Sequence, residues 1–419
     1  MYRKLSAAGR ILILGLLLFL CRSQNLPAAE EKYDCRDVGK APAVRSQGRF
    51  GTCWAITACS ALEACLMPDR QMLFSPDHLS LNNGFIISQA EGGDYHMIMA
   101  YLSGWRGPVL ESEDPYGDQR TTDGLLPAVH VQEIRLLDDC SEEKMKQMIR
   151  TYGPVQTSLR MTRRMTSRAG GYYNEKTFAF YDPAGGAVCH DILILGWDDS
   201  FPRESFTVDP GEDGAWICQN TWGEGFGDKG VFYVSYKDKT IAKSGLVYTV
   251  VEEEDNYGHL YQNDVCGWQA RLGYDDESAW FANVYTAGSE ETLRAAGFYS
   301  TGENSGYELW AVHDFSGASS LGYREKIGSG TISVKGYYTV PVTETFDLAG
   351  GERFALIVHI TTEGADKPVA GETAKDEYTV NVSLENREGY ISQDGVLWDE
   401  TESVYAANIC LKAYTDDRN

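Results

Sequence analysis

The sequence predicts an α+β protein with two domains: the first mixes helices and strands, and the second is an all-β sandwich. The 419 residues exceed what one hydrophobic core usually organises, and 43% of them are hydrophobic. Helix-permissive and apolar segments alternate up to an acidic run at 252–255. Beyond that run, short alternating segments are separated by glycine-rich turns, which is typical of a β-sandwich. The predicted domains are 30–251 and 256–419.

The N-terminus is typical of a secretory signal peptide. Basic residues precede an apolar run at 11–21, and small residues follow at 27–29. The run is too short to span a bilayer comfortably, although an uncleaved anchor is the alternative interpretation. We expect residues 1–29 to be a signal peptide, the mature chain to have no transmembrane segment, and the protein to be secreted or held at the cell surface. A lipid anchor at Cys21, which ends the apolar run, is a further alternative.

Charge and cysteine usage exclude several classes of function. The formal net charge is −24, and it becomes −28 once the four basic residues of the leader are removed. Such a chain repels phosphate backbones, so nucleic acid is excluded as a partner. Of the ten cysteines, all but Cys21 follow the leader, without CxxC pairs. The sequence therefore predicts no metal site, no cofactor and at least one free thiol.

A candidate nucleophile lies in the segment SQGRFGTCWA at 46–55. Glycines and Thr52 precede Cys53, and an alanine-rich, helix-permissive stretch follows it. A cysteine at a helix N-terminus has its thiolate favoured by unpaired amides and the helix dipole. Gln47 can supply an amide donor beside the amide of Cys53, as an oxyanion hole requires. The alternative is a buried structural cysteine that opens a core helix.

Two later segments supply a candidate base and its orienting amide. His190 follows glycines and leads into an apolar strand that ends at Gly196 and Trp197. Asn220 lies in AWICQNTWGEGFGDKG, ahead of an alternating strand. Asn220 would accept a hydrogen bond from His190 and fix its tautomer, and Trp222 would shield that bond from water. A structural histidine and a glycine-rich hairpin are the alternatives.

Taken together, these segments resemble the papain family of cysteine peptidases. The separation of Cys53 and His190 lies inside the ~130–150 residues typical of this family. The resemblance implies a papain-like two-lobed fold, with a helical lobe and a β-barrel-like lobe. It also implies Cys53 as nucleophile, His190 as base, and polypeptide substrates that are hydrolysed through a thioester. Phe50 stands where the family commonly has a disulfide cysteine, so that bridge is expected to be absent.

The resemblance also predicts substrate-binding residues. Gly92 and Gly93 resemble the loop that pairs with an extended substrate backbone, although a plain turn before a helix at 95–102 is the alternative. Asp191 replaces the small residue usual after the catalytic histidine, at the border of the main specificity pocket. A carboxylate there would favour a basic side chain two residues before the scissile bond, unless it is merely exposed or salt-bridged. Few residues separate the leader from Gln47, so no long inhibitory pro-segment is expected.

The C-terminal half resembles the lectin-like module that follows the peptidase in some bacterial surface proteins. The resemblance rests on segments 282–285, 295–299 and 390–398, and it implies a glycan or cell-surface ligand. We expect 30–250 to carry the activity and 256–419 to place it on a surface or substrate. The short acidic linker at 252–256 implies limited freedom between the domains.

The sequence leaves two other functions open. One is a catalytically silent adhesin that keeps the peptidase scaffold in order to present its β-domain. The other is acyl transfer to an amine by the same cysteine and histidine.

Overall fold

The computed structural model describes residues 30–418. The predicted signal peptide and Cys21 lie outside the described residues. Five helices are α1 to α5, at Cys53–Leu66, Pro76–Leu81, Tyr95–Ser103, Glu142–Tyr152 and Thr401–Tyr405.

Strands β1 to β9 belong to the first half of the chain: Lys32–Asp34, His130–Leu137, Val155–Leu159, Tyr173–Asn174, Ala179–Phe180, His190–Asp198, Ala215–Gln219, Val231–Ser235 and Gly245–Glu252. Strands β10 to β23 belong to the second half: His259–Gln262, Ala270–Leu272, Ser278–Thr286, Glu291–Ser300, Ser305–Val312, Glu325–Ile332, Gly336–Pro341, Asp347–Leu348, Arg353–Thr362, Val369–Thr373, Gly389–Ser392, Asp399–Glu400, Ala407–Ile409 and Leu411–Asp417.

The first half has the two predicted lobes. Helices α1 to α3 form the helical lobe, and the sheet order β2-β9-β3-β6-β7-β8-β5-β4 forms the other. Helix α1 is buried along most of its length because its residues are small or apolar, and it packs on β6 and β9. Helix α4 begins at Glu142, and Ser141 caps it by accepting a hydrogen bond from the amide of Lys144. The α+β prediction is confirmed.

The second half is the predicted β-sandwich. One layer has the order β15-β14-β18-β12-β20-β21, and the other is β10-β23-β13-β16. Alternate residues from both layers, such as Phe281 and Phe298, meet in one core. Two strands lack a simple alternating pattern: glycines at 328 and 330 interrupt β15, and the first five residues of β23 are all buried.

The two domains share one sheet, and this corrects the expected freedom between them. Strand β16 of the sandwich pairs with β2 of the first domain, with Tyr337 opposite Ile134. The same side of the sandwich contributes Trp268, Tyr299 and Tyr337 to the hydrophobic core of the first domain. The linker is short and acidic as predicted, but backbone hydrogen bonds and a common core hold the domains together.

The sequence also predicted at least one free thiol, and a mature chain without a transmembrane segment. All nine cysteines among residues 30–418 are free thiols, and Phe50 packs edge-on against Tyr116 instead of forming a bridge. Among residues 30–418, no helix has both the length and the apolar character that crossing a bilayer would require.

Candidate active site

Cys53 is the first residue of α1 and lies at the junction between the two lobes. Thr52 precedes the helix, and its hydroxyl contacts the hydroxyl of Tyr116. Tyr116 also donates to the main-chain carbonyl of Gln47, at 3.2 Å. The turn before the helix is thereby tied to the segment that carries Gln47, and the Cys53 side chain lies in an open cleft.

The amide group of Gln47 lies close to the cleft with a defined orientation. Its Nε2 donates to the carbonyl of Phe50 at 2.7 Å, and its Oε1 accepts from the hydroxyl of Thr221 at 2.6 Å. Because a carbonyl can only accept, the first contact fixes which end of the amide is nitrogen. One N–H of Gln47 is therefore left for a ligand in the cleft.

His190 and Asn220 meet as the sequence predicts. His190 begins β6, and its Nε2 lies 2.8 Å from Oδ1 of Asn220. Oδ1 also accepts from the amide of Thr221 at 2.8 Å, which fixes the orientation of the amide group. Since Oδ1 can only accept, Nε2 carries the proton, and Nδ1 is free to accept a proton from a thiol.

Trp222 covers the imidazole. Its ring centroid lies 4.9 Å from that of His190. Arg163 lies over Trp222, with Cζ 4.7 Å from the ring centroid, and donates to the carbonyl of Gly48 at 3.3 Å. These contacts keep water from the bond between His190 and Asn220.

Burial sets the electrostatics of the cysteine and the histidine. Desolvation raises the pKa of the Cys53 thiol to about 12, and the Asp191 carboxylate adds to this, while the amides of Asp191, Trp54 and Cys53 lower it. The predicted helix amides are thus present but are outweighed by burial. Burial also lowers the pKa of His190 to about 4, against the opposite effect of the Asn220 hydrogen bond. Burial therefore disfavours a charge on either group alone, and each charge would gain stability if the other formed beside it.

Gly92 and Gly93 line the same cleft, which has a volume of about 670 Å³. Gly92 has a φ of +94°, a left-handed conformation that favours glycine. A Cβ at Gly93 would lie 2.2 Å from the ring of Trp54, so only glycine allows this approach. The glycine loop therefore packs directly against the helix that begins with Cys53.

Asp191 is buried beneath the cleft, with 8% of its surface exposed. Its Oδ1 accepts from the hydroxyl of Ser158 at 2.6 Å, and its Oδ2 accepts from Nε2 of Gln156 at 2.7 Å. Gln156 also donates to the main-chain carbonyl of Trp54 at 3.2 Å. Burial raises the pKa of Asp191 to about 6. Asp191 thus lines the cleft, but both of its oxygens have partners within the chain.

Sequence reasoning missed the residues that support the predicted ones. Thr221 and Tyr116 hold Gln47, Arg163 covers Trp222, and Gln156 and Ser158 hold Asp191. Thr221 could have been found, since it follows Asn220 directly. The others lie in segments without a motif, and only the tertiary structure brings them to the site.

Two family models match the chain. The papain family cysteine protease model matches residues 29–251, which is more than half of the chain, and the lectin like domain model matches residues 260–415. A solved structure of a variant of the Clostridial cysteine protease Cwp84, after propeptide cleavage, is similar in both domains. Its identity is 26% and its TM-score 0.80, over 92% of this chain and 99% of that one.

Other similar proteins agree with this. A second structure, of the cysteine protease and lectin-like domains of Cwp84, a surface layer associated protein of Clostridium difficile, has 25% identity and a TM-score of 0.80. It covers 94% of this chain and 90% of that one. A viral cathepsin of Choristoneura fumiferana nuclear polyhedrosis virus is 26% identical over 208 residues, or 48% of this chain and 58% of its own length. Ananain of Ananas comosus is 22% identical over 209 residues, 49% of this chain and 56% of its own length. The chain thus spans little more than half the length of these curated relatives. It belongs to the papain family of cysteine proteases and carries a lectin-like domain after the protease domain.

Proposed function

We propose that this protein is a secreted cysteine endopeptidase that hydrolyses polypeptides through a thioester on Cys53. The observation that carries the proposal is the 2.8 Å contact between Nε2 of His190 and Oδ1 of Asn220, which leaves Nδ1 as a base in the cleft that Cys53 also lines. Family membership supports it, and no cofactor is needed for this chemistry.

The geometry supports a two-step mechanism. Nδ1 of His190 takes the thiol proton as sulfur attacks the scissile carbonyl, and the amides of Gln47 and Cys53 donate to the developing oxyanion. The proton then passes to the leaving amine, and the C–N bond breaks to give a thioester. Water, deprotonated by His190, attacks the thioester and releases the acid together with the free thiol.

Replacement of the nucleophile tests this proposal. Cys53→Ala should abolish cleavage of an unfolded protein substrate and leave the thermal unfolding midpoint within a few degrees of wild type. Cys189→Ala is the matched control, because Cys189 is an exposed thiol in the same cleft lining. Full activity in Cys53→Ala would overturn the assignment. With an amine acceptor added to the wild type, hydrolysis alone is expected, without transfer to the amine.

A basic side chain two residues before the scissile bond is the proposed specificity. The described cleft lining includes the carboxylates of Glu91, Asp94 and Asp191, and it has no lysine or arginine. Asp94 uses Oδ1 to cap α3, through the amides of His96 and Met97. Its exposed carboxylate is the more accessible partner for a cation, because both oxygens of Asp191 are already bonded.

Paired variants test this specificity. Peptides with arginine or leucine at that position are compared on wild type, Asp94→Asn and Asp191→Asn. The preference for arginine should fall about fivefold or more in Asp94→Asn, as expected for a lost charge-assisted contact. A wild type that prefers leucine would exclude the proposal.

Export and targeting complete the proposed function. Residues 1–29 would be removed as a signal peptide, and the lectin-like domain, at 256–419, would bind a glycan or another cell-surface ligand. The similar protein Cwp84 is described as associated with a surface layer. N-terminal sequencing of the exported protein tests the first point. Glycan-array binding by the Cys53→Ala protein tests the second.

A further inference from the structure

Residues 84–104, here called the cleft-wall segment, supply one wall of the cleft through residues 90–96. It carries Gly92 and Gly93 and continues as α3. On its inner side, Gly93 packs against Trp54, and the carbonyl of Gln89 accepts a hydrogen bond from the amide of Gly51 at 2.7 Å. These contacts join the segment to the turn that precedes Cys53.

The outer side of α3 is covered by the lectin-like domain. Trp268 packs edge-on against His96, with ring centroids 5.5 Å apart. One turn further along α3, Ala100 lies against Gly267 of the lectin-like domain. Gly267 has a φ of +63°, and a Cβ added there would lie 3.1 Å from the side chain of Ala100. Towards the helix end, the hydroxyl groups of Ser103 and Tyr299 lie 3.1 Å apart. The lectin-like domain thus follows the helix from its first turn to its last.

The loop before α3 is held by the same domain. The amide of Ile86 donates to the main-chain carbonyl of Tyr378 at 2.9 Å, and Asn381 donates to the carbonyl of Gly84 at 3.1 Å. The hydroxyl of Tyr378 also donates to Oε1 of Glu91, at 3.4 Å. Glu91 precedes Gly92 directly, so this contact reaches the wall of the cleft itself.

We infer that the lectin-like domain is a structural part of the substrate cleft, in which Trp268 and Tyr378 are positioning residues for the Gly92–Gly93 loop. The inference rests on the proposed function for the nature of the ligand, an extended polypeptide. A backbone loop that must become ordered on binding loses conformational entropy, and this loss lowers the affinity. Contacts that order the loop before binding therefore increase its affinity for the peptide.

The test measures affinity without turnover. Binding of an extended peptide of six residues is compared with binding of a single-residue amide, both in the Cys53→Ala background. The variants are Trp268→Ala, the conservative Trp268→Phe, and Tyr378→Phe, which removes only the hydroxyl. Tyr323→Ala is the matched control, since this tyrosine of the same domain is 86% exposed and lies in the segment after β14. Thermal unfolding is recorded for every variant.

Selective loss of extended-peptide affinity is the expected result. Trp268→Ala should weaken binding about tenfold, Tyr378→Phe about twofold, and Trp268→Phe should recover most of the loss, while the single-residue amide and Tyr323→Ala stay unchanged. In active enzyme the same variants should raise KM more than they lower kcat.

Two results would overturn the inference. One is unchanged peptide affinity in folded Trp268→Ala and Tyr378→Phe proteins. The other is an equal loss for both ligands, which would point to general loosening of the fold. Because the binding assay needs no catalysis, an inactive wild type would reject the proposed peptidase and leave the affinity comparison valid.

Discussion

The wall of the cleft that contains His190, with Trp222 packed against its ring, is held by the protease domain itself. The wall around Gly92 and Gly93 is instead supported by residues far later in the chain. Arg163 and Thr221 support the first wall from neighbouring protease segments. Trp268 and Tyr378 of the lectin-like domain support the second. The side of the cleft with His190 is thus held within the protease domain, while the side with Gly92 and Gly93 contacts the second domain.

Removal of the lectin-like domain should have the largest effect. Truncation after Val251 strips β16 from the edge of β2 and exposes protease core residues that pack on Trp268, Tyr299 and Tyr337. We expect the truncated chain to lose cooperative unfolding or to aggregate, because that apolar surface loses its cover. Calorimetry and size-exclusion chromatography measure this. A folded, fully active 30–251 fragment would contradict the comparison and restore the independent domains that the sequence suggested.

Loss of the orienting amide should affect catalysis through the first wall. Asn220→Ala removes the hydrogen bond to Nε2 of His190, which is worth about 1.5–3 kcal/mol when the imidazole is charged. We expect kcat to fall about 10- to 150-fold with little change in KM. Steady-state kinetics on a peptide substrate measure both values. A change confined to KM would contradict the assigned role.

Opening the first wall to water should shift the pH profile. Burial lowers the pKa of His190 to about 4, so the base is unprotonated and competent above that pH. The acid limb of kcat/KM should therefore lie near pH 4 in the wild type. Trp222→Ala exposes the imidazole, so the limb should move up towards about 6.5. Rate measurements from pH 3 to 9 test this. Trp105→Ala is the control, because the wild-type Trp105 ring stacks on His130 instead of on His190. An unmoved limb would contradict the shielding role.

Substitution of Asp191 is expected to have the smallest effect on catalysis. Its effect is therefore measured on the free energy of unfolding. Burial raises its folded pKa to about 6, above the unfolded value of about 3.9. Between these values the folded state binds more protons, so wild-type stability should fall as the pH rises from about 4 to 6. The free energy of unfolding should fall by about 1–3 kcal/mol over this pH range. Asp191→Asn should lack this part of the slope in urea unfolding. An identical slope in both proteins would contradict the buried environment of Asp191.

The residues of the candidate site could be singled out from the sequence because each has a local motif. Cys53 lies at a glycine-to-helix junction, His190 heads an apolar strand, and Asn220 stands two residues before a tryptophan. The contact of Tyr378 with Glu91 has no such pattern, because one tyrosine in a loop resembles any other. The sequence likewise indicated limited freedom at the 252–256 linker, because the pairing of β2 with β16 depends on register between distant strands.

Selective labelling of the nucleophile tests the central claim most directly. The protein is treated with an epoxide-type thiol inhibitor bearing a peptide, and the modified cysteine is identified by mass spectrometry of peptide fragments. Among residues 30–418, nine free thiols compete, and Cys189 is the exposed one of these. We expect one label per chain, on Cys53, with loss of labelling in Asn220→Ala that parallels its loss of kcat. Labelling of Cys189 in preference to Cys53, or labelling of Cys53 no faster than that of an ordinary exposed thiol, would contradict the account.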